Sequence, residues 1–153
     1  MSTVRLATAA DAERVGRLLN DFNTEFDEFT PGPEWLGRRL RELIEAGEAT
    51  VLLVGEPEAL GLALLRFRPS LWKDALDCYL EELYVAPDRR GEGMGRALME
   101  AAIDLARERG AWDMHLGTSE DDRAARALYE SLGFINREGG PDGPAEYFYE
   151  REL

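Results

Sequence analysis

Three glycines fall within five residues at Gly91-Glu92-Gly93-Met94-Gly95, between a strand-like run (Tyr79 to Val85) and a helix-like run (Arg96 to Arg109). Glycine at such a junction lets backbone N–H groups turn outward and approach a ligand, and the helix start adds unpaired donors and a positive dipole end. The combination suits phosphate or pyrophosphate. The dinucleotide pattern G-x-G-x-x-G fails, because its sixth place is Arg96 when counted from Gly91 and Leu98 when counted from Gly93. Asp113 lies at a suitable distance downstream for that pattern but carries little weight without the third small residue. The Gly-Lys-Ser/Thr of a Walker loop is absent. What remains is Arg90-x-x-Gly93-x-Gly95, with a plain glycine-rich turn capping a helix as the bland alternative.

The size of the chain, 153 residues, fits one domain with a sizeable core, and we expect residues 1–153 to form a single domain. No apolar run reaches the roughly 18 residues of a membrane span. Met1 to Leu6 has no apolar stretch of signal-peptide type. Cys78 is the sole cysteine, which excludes an internal disulfide, makes a packed inert thiol the expectation and points to a reducing cytoplasm. With one histidine and one cysteine, no metal is expected. The formal charge of −13 argues against a nucleic-acid partner and fits a cationic small molecule steered to an acidic cleft, although plain solubility is the better account of the bulk of it.

Val4 to Leu6 reads as a first strand, and Thr8-Ala9-Ala10-Asp11 as a capping box. Val15, Leu18, Leu19, Phe22 and Phe26 then share one helical face. Asp27 to Pro33 breaks that helix, and Leu36, Leu40, Leu43 and Ile44 mark a second, ending near Gly47. Thr50 to Val54 and Ala59 to Phe67 read as a hairpin joined at Gly55-Glu56-Pro57-Glu58, with a further strand over Asp77 to Val85. The helix after the glycines is expected to bury Leu98, Ala101, Ala102 and Leu105. Met114 to Leu116, Arg123 to Leu132 and Ala145 to Arg151 predict strand, helix and strand, with a short strand possible near Phe134 to Arg137. The fold class is α/β, with a mixed, mostly antiparallel central sheet flanked by about four helices.

That order, together with Arg90-x-x-Gly93-x-Gly95, resembles the GNAT superfamily of N-acetyltransferases over nearly the whole chain. A second segment agrees: Asp122-Arg123-Ala124-Ala125-Arg126-Ala127-Leu128-Tyr129, followed by Leu132-Gly133-Phe134, is similar to the family's N-x-x-A-x-x-L-Y-x-x-x-G-F. Asp122 replaces the usual Asn, which puts an amide contact from that position in question. The resemblance implies acetyl-CoA as co-substrate. The backbone of Leu83, Tyr84 and Val85 would pair with the pantetheine arm, and the N–H groups of Gly91, Gly93, Gly95 and Arg96 would hold the pyrophosphate. Arg89 or Arg90 would add charge, against the alternative that Arg89 is a solvated surface residue. Asp122 and Ala125 would lie along the cofactor arm.

Amide formation from an amine and a thioester requires loss of the ammonium proton, a polarised carbonyl and return of a proton to the thiolate. Glu81 and Glu82 are adjacent on the strand feeding the loop, and strand alternation would turn only one of them to the reaction side. Tyr79-Leu80-Glu81-Glu82-Leu83-Tyr84-Val85 resembles the strand of diamine acetyltransferases whose first acid is the proposed base, which points to Glu81. A bulge there would shift the alternation by one residue, and the bland alternative leaves both acids as exposed strand residues. Tyr129, by the resemblance, is the general acid, with a core tyrosine as the competing reading. Carbonyl polarisation falls to a backbone N–H near Leu83.

In this fold the first two helices and their connection shape the acceptor site. Phe22, Glu25, Phe26 and Glu28, with Asp21, Asp27, Phe29 and Trp35, suit a polyvalent amine through ion pairs and cation–π contact. Asn20-Asp21-Phe22 with Glu25-Phe26, and the Asp121-Asp122 helix start, resemble aminoglycoside 3-N-acetyltransferases. A polyamine or aminoglycoside-like amine is the leading acceptor, with an acidic solvated helix face over core phenylalanines as the alternative, and a peptide N-terminus or lysine also open. The tyrosine-bearing last strand is an alternative homodimer edge. The rival to an enzyme acting by direct transfer in a ternary complex is a non-catalytic acyl-CoA sensor on the same fold.

Overall fold

The computed structural model describes residues 3–153, so the first two positions of the Met1–Leu6 stretch lie outside it. The chain forms two compact units, Met1–Leu116 and Gly117–Leu153.

In the first unit, β1 (Val4–Leu6), β2 (Thr50–Val54), β3 (Gly61–Pro69), β4 (Leu76–Val85) and β5 (Ala111–Leu116) lie side by side in chain order in one sheet. The first four strands are antiparallel, and β5 joins β4 in parallel. Reaching that parallel edge requires a crossover, supplied by α3 (Met94–Glu108).

Two helices precede the second strand, α1 (Ala12–Glu25) and α2 (Pro33–Glu45). The Thr8 to Asp11 capping box opens a short 3-10 turn ahead of α1, with the Thr8 N–H donating to Asp11 Oδ2 at 2.8 Å. Val15, Leu18 and Leu19 of α1 and Leu40 of α2 pack on Val51, Leu53, Leu62, Leu64 and Tyr84, which occupy one face of β2, β3 and β4. The two helices cross at glycines: a Cβ on Gly16 would stand 2.7 Å from Gly37 N and 2.9 Å from Pro33 O. Helix α1 ends at Glu25, one residue before Phe26, which is therefore half exposed rather than part of the buried face.

Residues of opposite parity on the sheet (Leu52, Ala63, Leu65, Cys78 and Leu80) are also buried, and α3 packs against β2, β3, β4 and β5. Its buried stripe is Met94, Leu98, Met99, Ala102 and Ala106. Ala101 and Leu105, expected inside, flank that stripe and are only partly buried. The reason is phase: Met94 at the first helical position fixes the rotation of the helix, and the stripe follows from it.

The second unit contains α4 (Arg123–Ser131) and a turn-rich tail. The strand expected over Ala145 to Arg151 does not form. A single antiparallel bridge, Arg137 to Ala145, and the bond from Glu146 N to Asn136 O (2.8 Å) are the remnants of a hairpin. Gly139 and Gly140 both take positive φ, 75° and 130°, and open the turn, and Tyr147, Phe148 and Tyr149 beyond the bridge are 72–84% exposed. Alternation without a partner strand to bury one face does not produce a strand.

Candidate active site

Strand β4 changes its pairing along its length. From Leu76 to Leu80 it lies between β3 and β5. Beyond Leu80 its pairing with β5 stops while that with β3 continues to Val85, so among the described residues no strand pairs with the second edge of Glu81–Val85. Ala86 N bonds to Leu60 O, on the β3 side, at 2.8 Å. Backbone groups alternate in direction along a strand, so Leu83 and Val85 direct their N–H and C=O groups to the open edge. An extended amide-bearing arm can add there as a strand would.

The β3–β4 register slips at the same place. Leu64 pairs with Glu82 and Leu65 with Leu80, leaving Glu81 as the extra residue of a bulge. Simple alternation, which sends adjacent acids to opposite faces, therefore fails here. Glu82 stands opposite Leu64, on the face that carries Leu62, Leu64 and Tyr84. Glu81 is held by Arg66, whose Nη1 donates to Oε1 at 3.2 Å and to Oε2 at 3.4 Å. Burial, and secondarily the charge of Glu81, push the Glu82 carboxyl up to about 7. A carboxyl in that range exchanges a proton readily near neutrality.

Past the end of β4, Pro87–Arg89 form one 3-10 turn, and the glycines follow. Gly91 and Gly93 have φ of 82° and 87°, the left-handed region that side chains other than Gly and Asn resist, and space for 4 Å around a notional Cβ is open at both. Gly93 caps α3 without a side-chain hydrogen bond, so the first-turn N–H groups of the helix are not satisfied by a capping side chain. Met94 is buried and seats the turn. This cradle fits a pyrophosphate.

The two arginines beside it are both paired. Arg89 Nε donates to Glu92 Oε2 at 3.0 Å. Arg90 makes a bidentate pair with Glu25, both contacts 2.7 Å, and its Nε donates to Val85 O at 2.9 Å. Glu25, expected from the sequence to contact the acceptor, is engaged by the loop arginine, which holds its carboxyl below the usual range. Phe22 stacks on Tyr84 with ring centroids 4.8 Å apart. Phe26, Glu28, Phe29 and Trp35 remain exposed.

In the second unit, Tyr129 is buried, and its ring meets Phe134 edge-on at 6.0 Å. Asp122 caps α4: its Oδ1 accepts from Ala125 N at 3.1 Å, so the carboxylate and that amide engage each other. Sequence reasoning missed Arg66, whose only signal was a cation at an interior strand position. It also gave no role to Tyr79 and His115, which stack with centroids 5.1 Å apart across β4 and β5. Cys78 is fully buried and its thiol is pushed up to about 11, chiefly by burial, which fits the inert thiol expected.

Parted parallel strands, a bulged acidic strand with one open edge and a glycine turn at its end characterise this α/β fold. Comparison with known proteins agrees. The sequence model of the acetyltransferase (GNAT) family matches residues 13–134. The chain belongs to that family. It is 33% identical over 82 residues to the thialysine N-epsilon-acetyltransferase of Bos taurus, covering 52% of this chain and 48% of the relative. It is 36% identical over 91 residues to the streptothricin acetyltransferase of Streptomyces lavendulae, covering 59% and 46%. The chain thus spans about half the length of these curated relatives. Among solved structures, a protein of Arthrobacter sp. FB24 assigned by inference as an acetyltransferase matches with a TM-score of 0.88 at 44% identity, covering 99% of this chain and 96% of that one. An aminoglycoside acetyltransferase from a soil metagenome, solved with sisomicin, shares the fold alone, with a TM-score of 0.77 at 15% identity, covering 99% and 97%. Among the described residues no helix is long and apolar enough to cross a membrane.

Proposed function

We propose that this chain transfers an acetyl group from acetyl-CoA to a primary amine by direct transfer in a ternary complex, residues 1–153 acting as one catalytic domain. The observation that carries the reading is the bulged strand β4, which places Glu82 opposite Leu64 just ahead of residues that offer an open backbone edge. Acetyl-CoA, when bound, supplies the thioester. Leu83 and Val85 would hold its arm through their backbone, and Gly91, Gly93, Gly95 and Arg96 its pyrophosphate.

Glu82 is the base that takes the ammonium proton, directly or through water, and Glu81, ion-paired with Arg66, sets its environment. This reverses the assignment implied by the resemblance, which pointed to Glu81. The Leu83 N–H faces the open edge and polarises the carbonyl. Tyr129 returns a proton to the departing thiolate, a role that rests on its match to the family tyrosine. A polyamine or aminoglycoside-like amine is the acceptor we favour, supported by the exposed Phe26, Glu28, Phe29 and Trp35.

The test is calorimetric titration of the protein with acetyl-CoA, followed by thiol release across polyamines, aminoglycosides, amino acids and peptides. Binding with release on one amine class is the expected result. Binding without release on any amine would favour an acyl-CoA sensor, and no binding would remove the reading.

A further inference from the structure

Arg90 begins the glycine motif, and its guanidinium reaches both β4 and α1. Both terminal nitrogens of its guanidinium grip the Glu25 carboxylate, at 2.7 Å each, across 65 residues of sequence. Its Nε closes on Val85 O at 2.9 Å, the last carbonyl on the open edge of β4. The guanidinium carbon lies 5.6 Å from the centroid of the Tyr84 ring, which stacks on Phe22 of α1. Five residues of three segments therefore close a ring: Phe22 and Glu25 of α1, Tyr84 and Val85 at the end of β4, and Arg90 at the start of the glycine turn. A planar guanidinium fork is suited to this task, since it satisfies a carboxylate bidentately while its third nitrogen and its face remain available.

We propose that Arg90 and Glu25 are positioning residues: they clamp the end of α1, and with it the acceptor-side segment 26–32, to the end of the cofactor strand, so that the two binding sites are ordered together. Arg90 on this account orients the cradle and does not hold the pyrophosphate. The proposal rests on the acetyl-CoA reading given above. It explains why a cation at the mouth of an anion site is already matched by a carboxylate, and it links the sites through contiguous contacts instead of distance.

The clamp and the phosphate-ligand alternative predict opposite signs for Glu25→Gln. Releasing Arg90 from Glu25 would tighten acetyl-CoA binding if Arg90 were a phosphate ligand. For the clamp, Glu25→Gln and Arg90→Gln each weaken acetyl-CoA binding and raise the acceptor KM by about five- to twentyfold, with a smaller change in kcat, and the double variant is no worse than the poorer single. Tighter binding in Glu25→Gln, or a loss confined to Arg90→Gln, overturns the proposal. Thermal unfolding of the same four proteins without cofactor reads the pair independently of activity. Non-additive melting shifts are expected, and additive ones overturn the clamp. Failure of the unaltered protein to bind acetyl-CoA would instead overturn the cofactor reading, leaving the unfolding result to decide whether the pair couples α1 to β4.

Discussion

Arg66 on β3 donates from Nη1 to both carboxylate oxygens of Glu81, at 3.2 and 3.4 Å, and so divides the labour between two adjacent acids. Glu81 is paired with a cation, while Glu82, next along the chain, is desolvated and raised to about 7. Removing the Glu81 charge by Glu81→Gln leaves Arg66 unpaired and takes away the repulsion that adds to the shift of Glu82. Both changes favour ionised Glu82. The midpoint of the kcat/KM pH profile should therefore move below about 7 in Glu81→Gln, with turnover reduced only modestly. A midpoint that rises instead would contradict the division of roles.

Burial of Glu82 also has a signature in stability. Its folded value, about 7, lies above the ordinary glutamate value of 4.5, so the folded state binds the extra proton. The contribution to stability is fully present below the unfolded value and is lost as pH rises through about 7, leaving an ionised, desolvated carboxylate at alkaline pH. Glu82→Gln should raise the melting temperature at pH 8.5, by a stabilisation on the order of 2 kcal/mol, with the gain vanishing near pH 4. Chemical denaturation at the two pH values reads this directly.

Gly93 tests the cradle. Space is open around it, but its φ of 87° strains any L side chain. Gly93→Ala should cost about 1–2 kcal/mol of stability and weaken acetyl-CoA binding. Gly93→Asp adds a negative charge against the phosphates and should abolish binding altogether. Titration of the two variants separates backbone strain from charge, and equal binding by both would show that phosphate does not approach this turn.

Tyr129→Phe keeps the ring and its edge contact with Phe134 and removes only the hydroxyl. Turnover should fall by about a hundredfold while acetyl-CoA affinity stays nearly unchanged. Full turnover in this variant would return Tyr129 to the core.

Gly16→Ala tests the helix crossing. The added methyl would meet the Gly37 and Pro33 backbones at 2.7 and 2.9 Å, neither of which yields as a side chain would. We expect a loss of about 2 kcal/mol and a melting temperature lower by about 4–8 °C, measured by calorimetry. An unchanged melting temperature would mean that α1 and α2 cross less closely.

Much of this was legible in residues whose chemistry is local. Glycines at Gly91 and Gly93 announce a turn because few other residues adopt their φ, and the apolar spacing of Val15, Leu18 and Leu19 announces a buried helix face. What the sequence concealed depends on partners far along the chain. The bulge at Glu81 arises from the β3 register, so alternation assigned the two acids to opposite faces. Arg66 and Arg90 revealed their roles only when Glu81 and Glu25 came within reach. The tail from Tyr147 to Tyr149 carries a strand pattern, yet the described structure gives it no strand to pair with. Phase misled in a smaller way: Met94, not Leu105, belongs to the buried stripe of α3.

Whether Glu82 is the base is decided by the pH dependence of kcat/KM for the unaltered protein and Glu82→Gln. An ascending limb through about 7 is expected in the unaltered protein, and in Glu82→Gln a loss of about 10²- to 10⁴-fold with that limb gone, at unchanged acetyl-CoA affinity. Retained turnover in Glu82→Gln with the same ascending limb would contradict it and move the proton to another group.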